Sequence, residues 1–231
     1  MSVQTDLQKV AQKDKAVFLP RFFKTGKGEY GEGDVFIGVI VPNMRMVAKN
    51  YYKTISDTEI LSLLHDKIHE YRLTALLILT YQFAKADKAQ QKAIVDFYLS
   101  NTKYINNWDL VDLSSHEIVG TYLLTHPKER ALLIKLAKSK NLWERRIAMV
   151  ACYALLRQKQ FDEPFAVATI LLHDDHDLIH KAVGWMLREL GKMDQAAEEE
   201  FLKKHYKTMP RTMLRYAIEK FTPAKRKFYM S

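Results

Sequence analysis

Cysteine is almost absent from the sequence, which has a single one, Cys152, among its 231 residues. A disulfide within the chain is therefore excluded, and a lone thiol is typical of proteins in a reducing compartment. Cys152 lies in the apolar run around Ala148 and Tyr153. We interpret it as inert core filler.

Long uncharged apolar segments are lacking as well. The longest, Thr74 to Phe83, is shorter than the roughly 20 residues that cross a bilayer, and it suits a buried helix. Charged residues interrupt every short apolar patch up to Pro20, so this region has no signal-peptide core. We expect a cytoplasmic protein that has no membrane partner.

Glycine is scarce, and five of the eight glycines fall within residues 26–38. From Pro42 onward the chain has few helix breakers and no period-2 alternation. Its apolar residues recur every three or four positions, as in Ile60, Leu63 and Leu64, and this pattern predicts an all-α fold. Polar or proline-containing breaks predict helix boundaries at residues 56–57, 125–127, 174–175 and 209–210.

Positive charge is in excess, because 36 Lys and Arg against 27 Asp and Glu give a formal net charge of +9. A polyanion such as nucleic acid is a natural partner for such a chain. Many cytosolic proteins are basic without binding nucleic acid. The positions of the cations are therefore more informative than their number.

The cations follow an internal repeat. Five segments that read as helix starts can be aligned on one position each, with successive separations of 37, 37, 35 and 34 residues; these register positions hold Arg72, Asp109, Arg146, Lys181 and Arg215. The spacing is close to the roughly 40-residue period of HEAT-like repeats, in which helix pairs stack on their neighbours. We predict HEAT-like helical repeats stacked into a curved solenoid. It forms a single domain over residues 1–231, with a glycine-rich loop insert at residues 26–38.

Four of the five register positions carry Lys or Arg. Because stacked repeats place equivalent positions along one surface, the sequence predicts a concave basic groove that follows nucleic-acid phosphates. The alternative for any one of these cations is that it bonds a neighbouring helix within the fold.

The second register position breaks the pattern, because Asp109 places an acid where the others place a cation. Trp108 and Asp112 are four residues apart, so they share a face of a helix that begins here. A fixed carboxylate stabilises the positive sugar that forms when an N-glycosidic bond breaks, and aromatic rings bind a cationic nucleoside. A structural role is the alternative, since Asp109 can complement the helix dipole and Trp108 can belong to the core.

Three successive segments of the chain resemble motifs of the AlkD-type DNA glycosylases, a family built of HEAT-like repeats. Residues 108–112 (Trp-Asp-Leu-Val-Asp) resemble the motif with the family's catalytic aspartate. Residues 142–146 (Leu-Trp-Glu-Arg-Arg) resemble the segment with its DNA-contacting arginine, and residues 182–189 (Ala-Val-Gly-Trp-Met-Leu-Arg-Glu) the segment with its second active-site tryptophan. The resemblance runs from about Arg21 to the C-terminus. Near Phe22 the family has a tyrosine, so a hydroxyl is lost here.

The resemblance implies a hydrolase, a DNA-alkylpurine glycosylase that removes positively charged N3- and N7-alkylated purines from double-stranded DNA and initiates base excision repair. It implies action on a base that stays stacked in the duplex, without a metal or another cofactor. The expected catalytic residues are Asp112, Trp108 and Trp185. The expected DNA-binding residues are Arg146, Arg145, Lys181, Arg188, Arg211, Arg215, Lys24 and Lys27. We expect a monomer that associates with the nucleoid when it binds DNA.

A non-catalytic HEAT-like module that binds DNA structures or a protein partner is the alternative. Asp112 separates the two hypotheses, because a carboxylate inside a basic groove repels phosphate and serves no purpose in a module that only binds DNA.

Other patterns receive structural interpretations. The G-x-G-x-x-G pattern at residues 26–31 has no strand before it, so we interpret it as part of a flexible loop. The acidic and histidine residues at 173–177 are interpreted as an inter-helix turn without a metal site. Residues 114–116 (Ser-Ser-His) are interpreted as helix surface, and the basic run at 225–227 as a solvated tail.

Overall fold

The computed structural model describes residues 2–231, and within them the chain is all-helical, as the sequence predicts. Outside the helices, these residues contain one isolated β-bridge, between Val35 and Ile68. No helix in this part of the chain is long and apolar enough to cross a membrane. The helices fall into two units, one that ends at Ser114 and one that runs Ser115–Ser231.

The N-terminal unit is built around one buried helix. Its helices are α1 (Val3–Lys9), α2 (Lys13–Phe22), α3 (Val41–Tyr51), α4 (Asp57–Leu64), α5 (His69–Phe83), α6 (Lys88–Ser100) and α7 (Trp108–Asp112), with a 3₁₀ turn at Thr102–Tyr104. Helix α5 packs against α1, α3, α4, α6 and α7. All residues from Tyr71 to Thr80 are buried, as expected for a helix that is apolar on most of its surface.

The C-terminal unit has two central helices. It begins with a π-helical turn (His116–Gly120) and continues with α8 (Thr121–Thr125), a 3₁₀ turn (Pro127–Glu129), α9 (Ala131–Ala137), α10 (Leu142–Leu156), α11 (Asp162–Ile170), α12 (Asp177–Met193), α13 (Gln195–His205), α14 (Arg211–Ala217), a 3₁₀ turn (Ile218–Lys220) and α15 (Pro223–Met230). Helix α10 packs against α9, α11 and α12, and α12 packs against α13 and α14.

The predicted boundaries coincide with helix ends. Ser56 caps α4 and forms a capping box with Glu59. Pro127 follows the end of α8, and Pro210 immediately precedes α14. The five register positions all lie within the first five residues of a helix, in α5, α7, α10, α12 and α14. The repeat spacing therefore identified five helix starts correctly.

Several sequence interpretations are corrected by the structure. The basic run at residues 225–227 is solvated, as interpreted, but it lies in helix α15 and not in a tail; Thr222 caps this helix and Pro223 occupies its first position. Ser114 and Ser115 are fully buried and not helix surface. Cys152 is buried, as predicted, and burial raises the pKa of its thiol above the ordinary range.

Candidate active site

Helix α7 begins at a side-chain cap. Oδ1 of Asn107 accepts a hydrogen bond from the backbone N–H of Trp108 at 2.8 Å, which satisfies one of the unpaired donors of the first turn. Trp108 is the first residue of α7 and Asp112 is the last. Both line the same cavity, so α7 presents them on one face, as their spacing predicts.

The cavity beside α7 has a volume of about 330 Å³, and its lining comes entirely from the N-terminal unit. The surface that it exposes is almost wholly apolar, with contributions from Leu19, Phe22, Phe23, Met44 and Trp108. A carboxylate in such surroundings attracts a nearby positive charge more strongly than it would in water, because fewer water dipoles screen the interaction.

An aromatic cluster packs against Trp108. The ring of Phe23 lies nearly parallel to Trp108, with centroids 5.2 Å apart. Phe23 also lies 4.8 Å from the imidazole of His69, and Phe36 stacks on the same imidazole at 4.7 Å. Phe22 meets Trp108 edge-on at 5.7 Å. Trp108 is therefore held by neighbouring rings and still lines the cavity.

A buried ion network adjoins the aromatic cluster through His69, on which Phe23 and Phe36 pack. His69 donates from Nε2 to Oδ2 of Asp109 at 2.8 Å and from Nδ1 to Oδ2 of Asp34 at 3.1 Å. Arg72 pairs with the same Asp34 oxygen at 2.7 Å. These four side chains are at most 8 % exposed. Two positive and two negative charges thus balance in a region that excludes water, as buried charges require.

His69 is a cation in this network. Burial alone lowers the pKa of an imidazole, but the Asp109 carboxylate and the hydrogen bonds to Asp109 and Asp34 raise the pKa of His69 to about 9. Burial also disfavours the charge of Asp34, yet His69 and Arg72 hold the pKa of Asp34 below its ordinary value. Asp109 is therefore engaged in the fold, which is the structural alternative that the sequence left open for it.

The glycine-rich insert supplies part of this site. It contributes Asp34 and Phe36, and Asn107, the cap of α7, donates to Asp34 at 3.3 Å. The buried carboxylate of Glu70 accepts hydrogen bonds from the backbone N–H groups of residues 37–39 at 2.8 to 3.2 Å. Buried contacts therefore hold residues 34–38 in place, whereas the flexible-loop interpretation concerns residues 26–31.

The residues after Asp112 are anchored by a buried hydroxyl pair. Ser114 donates from Oγ to the carbonyl of Leu110 at 2.5 Å and accepts from the hydroxyl of Tyr98 at 2.8 Å. Burial raises the pKa of Tyr98, and the negative charge of Asp112 raises it further. The phenol therefore stays protonated and donates to Ser114 at the C-terminal end of α7.

The other predicted catalytic residue, Trp185, belongs to the C-terminal unit and lies in the middle of α12. Its ring stacks on Tyr153 with centroids 6.3 Å apart, and its Nε1 donates to Glu189 at 3.2 Å. Trp185 is partly exposed. It is thus held by a ring and a hydrogen bond while part of its surface stays accessible.

Three predicted DNA-binding arginines already bond other groups of the C-terminal unit. Arg146 is only 5 % exposed and donates to the carbonyl of Leu178 at 2.5 Å. Arg145 pairs with Asp174 at 2.6 Å, and Arg188 pairs with Glu189 at 3.1 Å and with Glu219. For Arg146 the structure shows the alternative in which a register cation bonds a neighbouring helix, here α12.

The remaining predicted cations are more accessible. Arg215 is exposed, and Arg211 is exposed while donating to the carbonyl of Met230 at 2.6 Å. Lys24 and Lys27 are exposed in the N-terminal unit. Lys181 is partly exposed and pairs with Asp177 at 2.6 Å.

Sequence reasoning missed the side chains that organise α7: Asp34, Phe23, Phe36 and His69. One signal was available, because His69 lies three positions before the register residue Arg72, and Asp109 stands where the other register positions carry a cation. A buried acid requires a positive partner. Nothing in the local sequence indicates that Asp34 also takes part.

One comparison with known proteins identifies the family, and another finds similar folds. A family model described as DNA alkylation repair enzyme matches residues 3–221. The fold is similar to that of a predicted DNA alkylation repair enzyme from Enterococcus faecalis, with a TM-score of 0.72, 18 % identity, and 92 % of this chain and 97 % of that chain covered. It is also similar to AlkD2 from Streptococcus mutans, with a TM-score of 0.59, 17 % identity, and coverage of 91 % and 99 %. A search of curated proteins finds no match.

Proposed function

The chain belongs to the family of DNA alkylation repair enzymes, and from this membership we propose that it is a DNA N-glycosylase. It excises positively charged N3- and N7-alkylated purines from double-stranded DNA by hydrolysis of the N-glycosidic bond and thereby initiates base excision repair. The observation that carries the proposal is the shared cavity of Asp112 and Trp108, a carboxylate and an indole on one face of α7 in apolar surroundings.

The chemistry suits a single carboxylate. An alkylated purine already carries a positive charge, so when its bond to C1′ breaks the bonding electrons neutralise the departing base, and no general acid is needed. The charge that develops on the sugar is stabilised by Asp112. Water then adds to C1′ and loses a proton, which leaves an abasic site. Asp112 stabilises the charge and orients this water, while Trp108 and Trp185 pack against the sugar.

DNA binding is assigned to the predicted cations. Arg211, Arg215, Lys24 and Lys27 are exposed and suited to phosphate, and Lys181 has to exchange one ion pair. Arg145, Arg146 and Arg188 also belong to the predicted set, but each bonds a group within the fold, so phosphate contacts by these three stay a prediction of the sequence. We further propose that the enzyme acts as a monomer, in the cytoplasm at the nucleoid where its substrate lies. The single domain of HEAT-like repeats and its basic groove stay predictions of the sequence.

The decisive experiment is release of 7-methylguanine from methylated duplex DNA. We expect Asp112→Asn to lower the rate of release by about 100-fold or more, because the amide no longer stabilises a positive sugar. Binding to undamaged duplex should be unchanged or tighter, since a carboxylate that repels phosphate is gone. Asp175→Asn, at an exposed carboxylate of an inter-helix turn, is the matched control and should release base at the wild-type rate. A wild-type protein that binds duplex but releases no base would establish the binding-module alternative instead.

A further inference from the structure

Helix α2 lies beside the candidate active site and exposes large apolar side chains. None of its residues is buried, and Val17, Phe18 and Phe22 are 75 %, 59 % and 52 % exposed. Proteins rarely leave neighbouring large apolar side chains in water unless that surface binds something. The outer side of α2 is therefore a candidate interaction surface.

Aromatic rings connect this surface to the cavity. Phe18 and Phe22 are one helical turn apart, and their rings stack with centroids 6.2 Å apart. Phe22 in turn meets Trp108 edge-on at 5.7 Å. Phe18 therefore lies one side chain beyond the rings that line the cavity with Asp112.

Positive charge borders the same surface. Helix α2 contains Lys13, Lys15 and Arg21 against a single acid, Asp14. Lys15 and Arg21 are exposed, and within residues 2–231 neither side chain forms an ion pair or a hydrogen bond. Arg145 and Arg188, in contrast, are bonded to carboxylates. Available cations next to exposed aromatic rings are typical of surfaces that bind nucleic acid.

We propose that α2 contacts double-stranded DNA next to the alkylated nucleotide, where Phe18 covers the neighbouring nucleotide and Lys15 and Arg21 bind flanking phosphates. This inference rests on the proposed function, because the aromatic path leads from Phe18 to the site assigned to the damaged nucleotide. The contact is independent of sequence, since every nucleotide of a duplex offers the apolar C–H groups of its sugar and a phosphate, whereas its base faces are covered by neighbouring bases. Phe18 and Arg21 take no part in bond cleavage and act through affinity, whereas Lys15 also lines the cavity that holds Asp112.

The test compares two phenylalanines of equal exposure. Phe18 on α2 and Phe228 on α15 are both 59 % exposed, so replacing either by alanine should leave the thermal stability unchanged. The probe is a duplex with a tetrahydrofuran abasic-site analogue, which a glycosylase cannot cleave. We expect Phe18→Ala to raise the Kd about fivefold or more, because the apolar burial of this ring against the sugar is lost. Phe228→Ala should leave the Kd unchanged.

A second measurement tests the cations. For Lys15→Gln and Arg21→Gln, the slope of log Kd against log salt concentration should become shallower by about one for each phosphate that the variant no longer neutralises. An unchanged Kd for Phe18→Ala, or an equal rise in Kd for Phe228→Ala, would overturn the proposal. If binding depends on Phe18 but the wild type releases no base, the glycosylase fails and the DNA contact stands. If the wild type releases base and Phe18→Ala changes neither binding nor release, the glycosylase stands and the contact fails.

Discussion

At the scale of residues, α7 carries two carboxylates with different roles. Asp109 is buried and bonded to a histidine cation that two aromatic rings cover. Asp112, three positions later, lines an apolar cavity together with Trp108. The sequence shows the same functional group twice, and the difference arises from the neighbours. His69 is thereby placed to stabilise the fold, in a way that depends on pH.

The stability of the protein should decrease as pH rises through the range in which His69 loses its proton. The pKa of His69 is about 9 in the folded protein, against about 6.5 for an unfolded histidine. The folded state therefore holds the additional proton, and its contribution is complete below about pH 6.5 and lost by about pH 9. We expect the urea midpoint of the wild type to fall over this range relative to that of His69→Gln.

The quantity to measure is the difference between the urea midpoints of the wild type and His69→Gln at each pH. Glu198 is buried, and burial raises its pKa to about 8, so it titrates in the same window. It does so in both proteins, and its effect cancels in the difference. Midpoint curves that run parallel from about pH 6 to about pH 10 would show that His69 is neutral in the folded protein.

At the scale of elements, the insert is bonded to the first residues of α5. His69 and Glu70 are consecutive, and one binds Asp34 while the other binds the backbone of residues 37–39. The insert also meets the start of α2, where the N–H of Gln12 donates to the carbonyl of Gly38 at 3.1 Å. The positions of α2 and α7 therefore both depend on the conformation of the insert.

Gly38→Ala should destabilise the protein more than Gly28→Ala. Both glycines have a positive φ, +84° for Gly38 and +78° for Gly28, so each alanine costs about 1 to 2 kcal/mol of backbone strain. A Cβ on Gly38 would also lie 2.0 Å from the carbonyl oxygen of Gln12, whereas a Cβ on Gly28 would have nothing within 4 Å. Urea unfolding at neutral pH measures both losses of stability. Equal losses of stability would mean that the backbone at Gln12 moves away from the new Cβ without lowering the free energy of unfolding.

At the scale of the whole molecule, the lysines and arginines behind the net charge of +9 serve two purposes. Some cations, such as Arg72 and Arg146, are buried and bond groups of the fold. Others, such as Arg215, are exposed. Only cations of the second kind can meet a phosphate without first giving up an internal partner. Only the exposed cations therefore count toward the phosphates that DNA binding can neutralise.

Arg215→Gln and Arg146→Ala should distinguish a cation that binds phosphate from one that stabilises the fold. We expect Arg215→Gln to make the slope of log Kd against log salt concentration shallower by about one, with unchanged stability. Arg146→Ala should lower the free energy of unfolding by about 1 to 3 kcal/mol, because the Leu178 carbonyl loses a donor from a charged group. A shallower slope for Arg146→Ala would instead support the phosphate contact that the family resemblance implies.

The sequence by itself determined the all-helical fold, the main helix boundaries and the placement of Trp108 and Asp112 on one face, because these depend on residues a few positions apart. Residue spacing, caps and prolines are local signals, and helices obey them. Only the tertiary structure decided that Asp109 and Arg146 are buried and bonded, and that the insert helps to hold α7. Those outcomes depend on partners such as Asp34 and Asn107, which are 73 positions apart in the chain. Whether a charged side chain is buried depends on which distant residues the packing of helices brings beside it, and no local pattern encodes that choice.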